Sequence, residues 1–205
     1  MGSKMRILFK NAKIVTMNAT REVIQGDLLV EGSRIVEVGG VIEQPADQVI
    51  DLQGDLLIPG LIQTHIHLCQ TLFRGQADDL ELLDWLKFKV WPLEGGHDPE
   101  SLFDSALLGI GELFLGGTTT IVDMETVNHT EHAFEAILTT GLRALSGKVM
   151  MDDCNKDIST FFTRDDRSLP ARKCRFIWRN IMVKGMDDSK SLSRLVSLFP
   201  VLIRY

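Results

Sequence analysis

Between residues 98 and 150 the apolar periodicity switches from helix to strand, back to helix and to strand again. That alternation restricts the fold more than any other feature of the chain. Asp98 suits an N-cap, Pro99 the first helical position, and Glu100 the first turn. Leu102, Ala106, Ile110, Leu113 and Phe114 then recur at helical spacing, and Gly116-Gly117 stops the helix. Thr118-Thr119-Thr120-Ile121-Val122-Asp123 is β-branched up to Val122 and reads as a strand. A second helix is predicted from near Asn128, with Glu131 as its capping partner. It presents Ala133, Phe134, Ile137 and Leu138, ends at Gly141, and leads into a strand over 142–150. Strands joined through helices imply parallel pairing by right-handed crossovers, hence an α/β fold.

Residues 1–58 differ. Arg6–Phe9, Lys13–Met17, Asp27–Val30 and Arg34–Val38 are short aliphatic runs bounded by Asn-Ala, Glu-Gly-Ser and Gly-Gly breakers. They predict a small antiparallel β unit. An apolar stretch, Leu56–Ile62, follows and ends at Thr64-His65-Ile66-His67.

With 205 residues, 44% of them hydrophobic and 24% charged, the chain has the make-up of a soluble globular protein. No apolar run approaches the roughly 20 residues of a membrane helix, so no membrane partner is expected. The N-terminus is unlike a signal peptide, and a cytoplasmic location is expected. Cys69, Cys154 and Cys174 are odd in number and far apart, which argues for reduced thiols over a disulfide framework. The net charge of −6 is uneven: residues 159–205 hold ten Lys or Arg against four Asp, and residues 1–158 hold twelve against twenty-four Asp or Glu.

Alternate residues of a strand point to one side, so His65 and His67 project together and can share a cation. Zinc accepts such imidazole nitrogens, and catalytic sites add a third protein ligand and water. A bare His-x-His is a weak signal, because two histidines capping a strand are common. Its surroundings decide the matter. Pro59-Gly60-Leu61-Ile62-Gln63-Thr64-His65-Ile66-His67, placed after a small β unit, resembles the opening of the amidohydrolase superfamily. The likeness continues through Thr71–Gly75, Asp78-Asp79-Leu80, Leu83–Leu86, Val90–Glu94, Gly116–Thr120 and Gly147–Asp152. It covers about residues 6–158 and is similar to the branch containing methylthioadenosine/S-adenosylhomocysteine deaminases, guanine deaminases and triazine hydrolases.

The resemblance implies a (β/α)8 TIM-type barrel flanked by a β-sandwich, and one divalent metal, usually zinc. It also implies hydrolytic deamination of an adenosine-like nucleoside or related purine, with water activated by the metal. Guanine deaminase or triazine hydrolase chemistry is the alternative. The expected parts are a β-sandwich portion over 1–58, the first barrel strands and helices over 59–158, and an atypical basic tail over 159–205. Metal ligands are expected at His65 and His67. Glu94 falls where nucleoside deaminases hold ribose hydroxyls, a task suited to a carboxylate; a solvated loop acid before Gly95-Gly96 is the plain alternative. Lys148 lies near a substrate-binding arginine of some relatives, but a lysine lacks the bidentate fork, and that role is not carried over.

Trp85 and Trp91 suit either a purine wall or amphipathic packing. Asp78-Asp79 reads as a solvated loop or helix start, and His97, His129 and His132 read as exposed or cap-proximal. Cys69 reads as packing. All five histidines lie at or before His132, so the later metal ligands and acid–base residues of the family have no counterpart in the chain. A complete barrel takes ~250 residues. The tail, with no Glu and neither helical nor strand period, reads as an out-of-frame peptide, the competing reading being a basic tail for an anionic surface or nucleic acid. The chain is therefore expected to be truncated and inactive alone, or a non-catalytic fragment. Its partner is expected to be a small purine or nucleoside-like molecule, not nucleic acid, and a homo-oligomer is left open for the full-length protein.

Overall fold

A computed structural model of the chain describes residues 4–149 and 200–203. In chain order its strands are β1 (Arg6–Val15), β2 (Val23–Glu31), β3 (Arg34–Val38), β4 (Gln48–Asp51), β5 (Leu56–Pro59), β6 (Leu61–Ile66), β7 (Thr118–Met124), β8 (Arg143–Gly147) and β9 (Pro200–Ile203). Two longer helices, α3 (Pro99–Leu115) and α4 (Thr130–Thr140), follow two short ones, α1 (Leu82–Trp85) and α2 (Trp91–Gly95). A 3-10 helix covers Leu68–Phe73, and a π-helical turn, Leu86–Val90, joins α1 to α2. The chain divides into two compact units, Met1–Ile62 with Lys190–Tyr205, and Gln63–Ser189.

The first unit holds one six-stranded sheet in the order β3-β2-β1-β5-β9, with β4 also on β1. It corrects the antiparallel expectation. β1–β2, β2–β3 and β5–β9 are antiparallel, but β4 and β5 both run parallel to β1. The two runs read from sequence as separate strands, Arg6–Phe9 and Lys13–Met17, are one strand carrying an irregularity between Phe9 and Ala12. Asn11 causes it. Its φ is +56°, in the left-handed region that Asn tolerates better than most residues. Its amide N–H donates to Asp27 Oδ1 at 3.0 Å and its side chain to Asp51 Oδ1 at 2.8 Å. The displaced register lets one edge of β1 pair first with β4 and then with β5.

Leu28 and Leu29 are successive strand residues, so they face opposite sides, and both are buried. Leu28 joins Ala12, Ile14, Leu52 and Leu57, whereas Leu29 joins Leu8 and Ile42. The sheet thus has apolar contacts on both faces. Gly26 sits where its backbone meets that of Gly40: a Cβ there would lie 2.6 Å from Gly40 N.

The second unit contains a three-stranded sheet in the order β6-β7-β8, with β7 and β8 parallel and joined through α4, as the alternation predicts. Asp98 caps α3 as expected: its Oδ1 accepts from Ser101 N–H at 2.8 Å, while Ser101 Oγ accepts from Asp98 N–H at 3.0 Å. Leu102, Ala106 and Ile110 of α3 bury against Ile121 of β7, Ala133, Phe134 and Ile137 of α4, and Leu68 and Cys69. Burying each Leu or Ile stabilises the fold by about 1.5–3 kcal/mol. Phe114 and Leu138, placed in the apolar stripes by spacing, are exposed. α4 starts at Thr130, two residues after the expected Asn128, because His129 at φ +57° is still turning the chain; no side-chain cap bond forms there. Among the described residues this part of the fold is a three-stranded sheet, with β7 and β8 parallel, and not a closed barrel. The tail over 159–199, and with it the out-of-frame reading, lies outside the described residues. No helix among the described residues is long and apolar enough to cross a membrane.

Candidate metal centre

β6 ends at Ile66 and carries His65; His67 follows it, still extended at φ −130° and ψ 92°, as the N-cap of the 3-10 helix, so the two histidines project to one side. Their Nε2 atoms are 3.2 Å apart, and the rings meet edge to face, with centroids separated by 4.8 Å and planes at 89°. His67 Nδ1 lies 2.7 Å from the carbonyl oxygen of Met124, the last residue of β7. A carbonyl only accepts, so Nδ1 carries the proton and Nε2 of neutral His67 presents its lone pair toward His65.

The donor set fits a divalent ion. Two nitrogens about 2.0–2.1 Å from a shared zinc at a tetrahedral angle stand roughly 3.3–3.4 Å apart. The observed separation of 3.2 Å is close to that. The Met124 carbonyl on the other ring nitrogen is the outer partner that metal-bound histidines usually have. Among the described residues, no third His, Cys, Asp or Glu joins the pair in a metal-holding arrangement. Among the described residues His65 and His67 are two candidate ligands, where a catalytic zinc typically uses three.

Directly after His67 the chain enters the 3-10 helix, and here the sequence reading missed residues that matter. Asp123, on β7, is buried. Its Oδ1 accepts from Leu68 N–H at 3.0 Å and its Oδ2 accepts from Ser146 Oγ–H on β8. Glu125 is 1% exposed, and its Oε1 has no hydrogen-bond partner among the described residues. Burial pushes the carboxyl of Asp123 up, and burial followed by the charge of Asp123 pushes Glu125 well above the usual carboxylate range. Burial, then the nearby Glu125, Glu94 and Asp123 carboxyls, likewise pushes the Cys69 thiol well up. Cys69 is a core residue, as read from sequence. The available signal for Asp123 and Glu125 was positional: acidic residues at and just beyond the carboxyl end of a β-branched strand.

Glu94 is not a solvated loop acid. It lies on α2, is buried, and its Oε1 accepts from Gln70 Nε2 at 2.8 Å and Cys69 Sγ at 3.7 Å. No hydrogen bond among the described residues joins it to the histidine pair. The connection is short and covalent, since Cys69 and Gln70 follow His67 by two and three positions. His97, read as exposed or cap-proximal, is buried and stands next to the Asp98 cap of α3. Its Nε2 lies 2.8 Å from the Cys69 carbonyl, its Nδ1 3.0 Å from Ser101 Oγ, and its ring stacks on Phe73 at 5.0 Å. It pins the 3-10 helix to the start of α3. His129 and His132 stay with α4, where His132 faces Glu131 and Glu135. A cavity of about 270 Å³ opens beside Gln70, bounded also by Phe73, Arg74, Trp85, Lys89 and Leu93. Trp85 is thus a wall residue; Trp91 is not. Asp78 borders the same cavity.

The Amidohydrolase family profile matches residues 56–188. A 5′-deoxyadenosine deaminase of Methanobrevibacter smithii is 42% identical over 147 residues, covering 71% of this chain and 33% of that protein. A 5-methylthioadenosine/S-adenosylhomocysteine deaminase of Thermococcus kodakarensis is 40% identical over 148 residues, covering 72% of this chain and 34% of that protein. In fold, the chain is similar to atrazine chlorohydrolase from Arthrobacter aurescens, solved in complex with zinc, with a TM-score of 0.73 at 22% identity. That match covers 89% of this chain and 44% of the other. The chain belongs to the amidohydrolase family. It spans about a third of the length of the two deaminases.

Proposed function

We propose that this chain carries the first-strand half of the metal site of a hydrolytic deaminase acting on an adenosine-like nucleoside. The observation that carries the reading is the convergence of His65 and His67 Nε2 at 3.2 Å with Nδ1 of His67 engaged behind. The two imidazoles would hold one divalent ion, most suitably zinc. When bound, such an ion supplies Lewis acidity that brings water into play as a nucleophile near neutral pH.

The chain's own residues do the rest of what is present. Met124 holds the His67 proton on Nδ1 and leaves Nε2 as donor lone pair. Glu94, fixed through Oε1 by Gln70, offers a carboxylate to a vicinal diol, the pattern a ribose presents. The cavity walled by Phe73 and Trp85 is also lined by Gln70, the residue that holds Glu94. The names of the two deaminases support an adenosine-like substrate over guanine or a triazine. The resemblance to atrazine chlorohydrolase is one of fold.

The test is direct. The chain titrated with zinc takes up one equivalent, and H65A and H67A each abolish uptake. The zinc-loaded chain binds an adenosine nucleoside more tightly than guanine, and E94Q removes that preference. No ammonia is released, because the described residues offer two metal ligands where a catalytic zinc typically uses three. Zinc uptake that survives H65A and H67A defeats the metal reading, and ammonia release by the chain alone defeats the statement that it is an incomplete catalyst.

A further inference from the structure

β7 grips the chain at two successive points beside the histidine pair. The Met124 carbonyl holds His67 Nδ1 at 2.7 Å, and the Asp123 carboxylate holds the very next backbone N–H, that of Leu68, at 3.0 Å. A carboxylate is acceptor-only; besides a side-chain hydrogen bond with Glu125, Asp123 accepts from two neighbouring elements: Leu68 N–H at the exit of β6, and Ser146 Oγ–H of β8. The Ser146 hydroxyl fixes the carboxylate plane, so the other oxygen faces Leu68.

The same turn is held from its far side. Leu68 O accepts from Ser105 Oγ of α3 at 2.9 Å and from Thr71 Oγ1 at 3.0 Å. Leu68 is therefore fixed through both its N–H and its C=O. The Leu68 N–H is among the first four of a helix, which have no intrahelical acceptor, so a side chain must supply one. Asp123 does so from across the sheet, at a sequence separation of 55 residues.

We propose that Asp123 is the positioning residue of the metal pair, holding the backbone after His67 so that its ring stays against Met124 with Nε2 aimed at His65. It touches neither substrate nor metal. The proposal rests on the metal reading for its consequence in affinity, but the orientation of His67 can be observed without metal.

In the test, the full chain is compared with D123A, D123N and S146A by zinc titration and by nitrogen NMR of the metal-free histidine rings. In the native chain His67 is the Nδ1–H tautomer. D123A leaves Leu68 N–H without its acceptor, lets His67 sample both tautomers, and weakens zinc binding about 10- to 100-fold, the range for outer partners of metal-bound histidines. D123N restores affinity to within a few-fold, because its amide oxygen still accepts from Leu68 and its NH2 can donate to a turned Ser146 hydroxyl. Native tautomer and native zinc affinity in a folded D123A overturn the proposal. If D123A does not fold, S146A decides: mixed tautomers with several-fold weaker zinc binding support it, and no change in either overturns it. If the unsubstituted chain takes up no zinc, the metal reading fails, yet the tautomer comparison still judges Asp123.

Discussion

The amide of Gln70 donates to Oε1 of Glu94 at 2.8 Å, which makes Glu94 a buried, oriented acceptor. In the proposed function that carboxylate takes the two hydroxyls of a ribose. Hydrogen bonds to a charged group contribute about 1.5–3 kcal/mol, so E94Q should weaken nucleoside binding roughly 10- to 100-fold. The variant keeps an oxygen for Gln70 and should melt within a few degrees of the native chain. Calorimetry with a nucleoside and its 2′,3′-dideoxy analogue separates the causes. The analogue should lose nothing to the substitution; an equal loss for both ligands would mean that Glu94 shapes the cavity and does not contact the sugar.

Metal addition and removal give a second prediction. A ligand that binds only the native state stabilises it by about 2.7 kcal/mol at a free concentration 100 times its Kd. Zinc should therefore raise the melting temperature of the chain, and a chelator should reverse the rise. H67A should show no shift. A comparable rise in H67A would place the ion elsewhere.

The sequence made the second unit legible because its signals are local. Asp98-Pro99, the stripe through Leu102, Ala106 and Ile110, and the β-branched run Thr118–Val122 each specify an element within a few residues. The histidine pair was legible for the same reason, since strand alternation alone puts His65 and His67 together. What could not be read depends on long-range contact. Asp123 gains its role from Leu68 and Ser146, 55 and 23 positions away. His97 read as exposed or cap-proximal, and only the packing of Phe73 and the Cys69 carbonyl around it makes it a buried strut. In the first unit β1 changes partner from β4 to β5 across the kink at Asn11, and a single left-handed residue leaves no periodic trace.

A third prediction concerns acid. Backbone and side-chain hydrogen bonds from Ser101 hold the Asp98 carboxyl below its ordinary value of 3.8. A carboxyl with a depressed folded pKa contributes stability that is complete above the unfolded value and disappears as pH falls through the folded one. The native chain should therefore be more stable than D98A at neutral pH, and the gap should close as the pH drops below 3.8. Denaturant melts of the two chains at stepped pH measure it. A gap independent of pH would show that the cap acts through shape, not charge.

The last prediction turns on two glycines one half-turn apart in α3. Gly109 lies where α3 crosses the 3-10 helix: a Cβ there would sit 2.6 Å from Thr71 Oγ1 and 3.1 Å from Leu68 Cδ2. Thr71 cannot simply swing away, because its hydroxyl donates to the Leu68 carbonyl. Alanine at that position gains helix propensity worth about 1 kcal/mol but meets an overpacking penalty of about 1–3 kcal/mol. Gly111 has nothing within 4 Å of the same point, so alanine there keeps the propensity gain, about 0.5–1 kcal/mol. G111A should stabilise the chain, and G109A should be neutral to destabilising by up to about 2 kcal/mol. Because G109A pushes on the residue that follows His67, it should also weaken zinc uptake, whereas G111A should leave uptake unchanged. If G109A stabilised the chain as much as G111A, α3 would not be closely seated on the turn that carries the site.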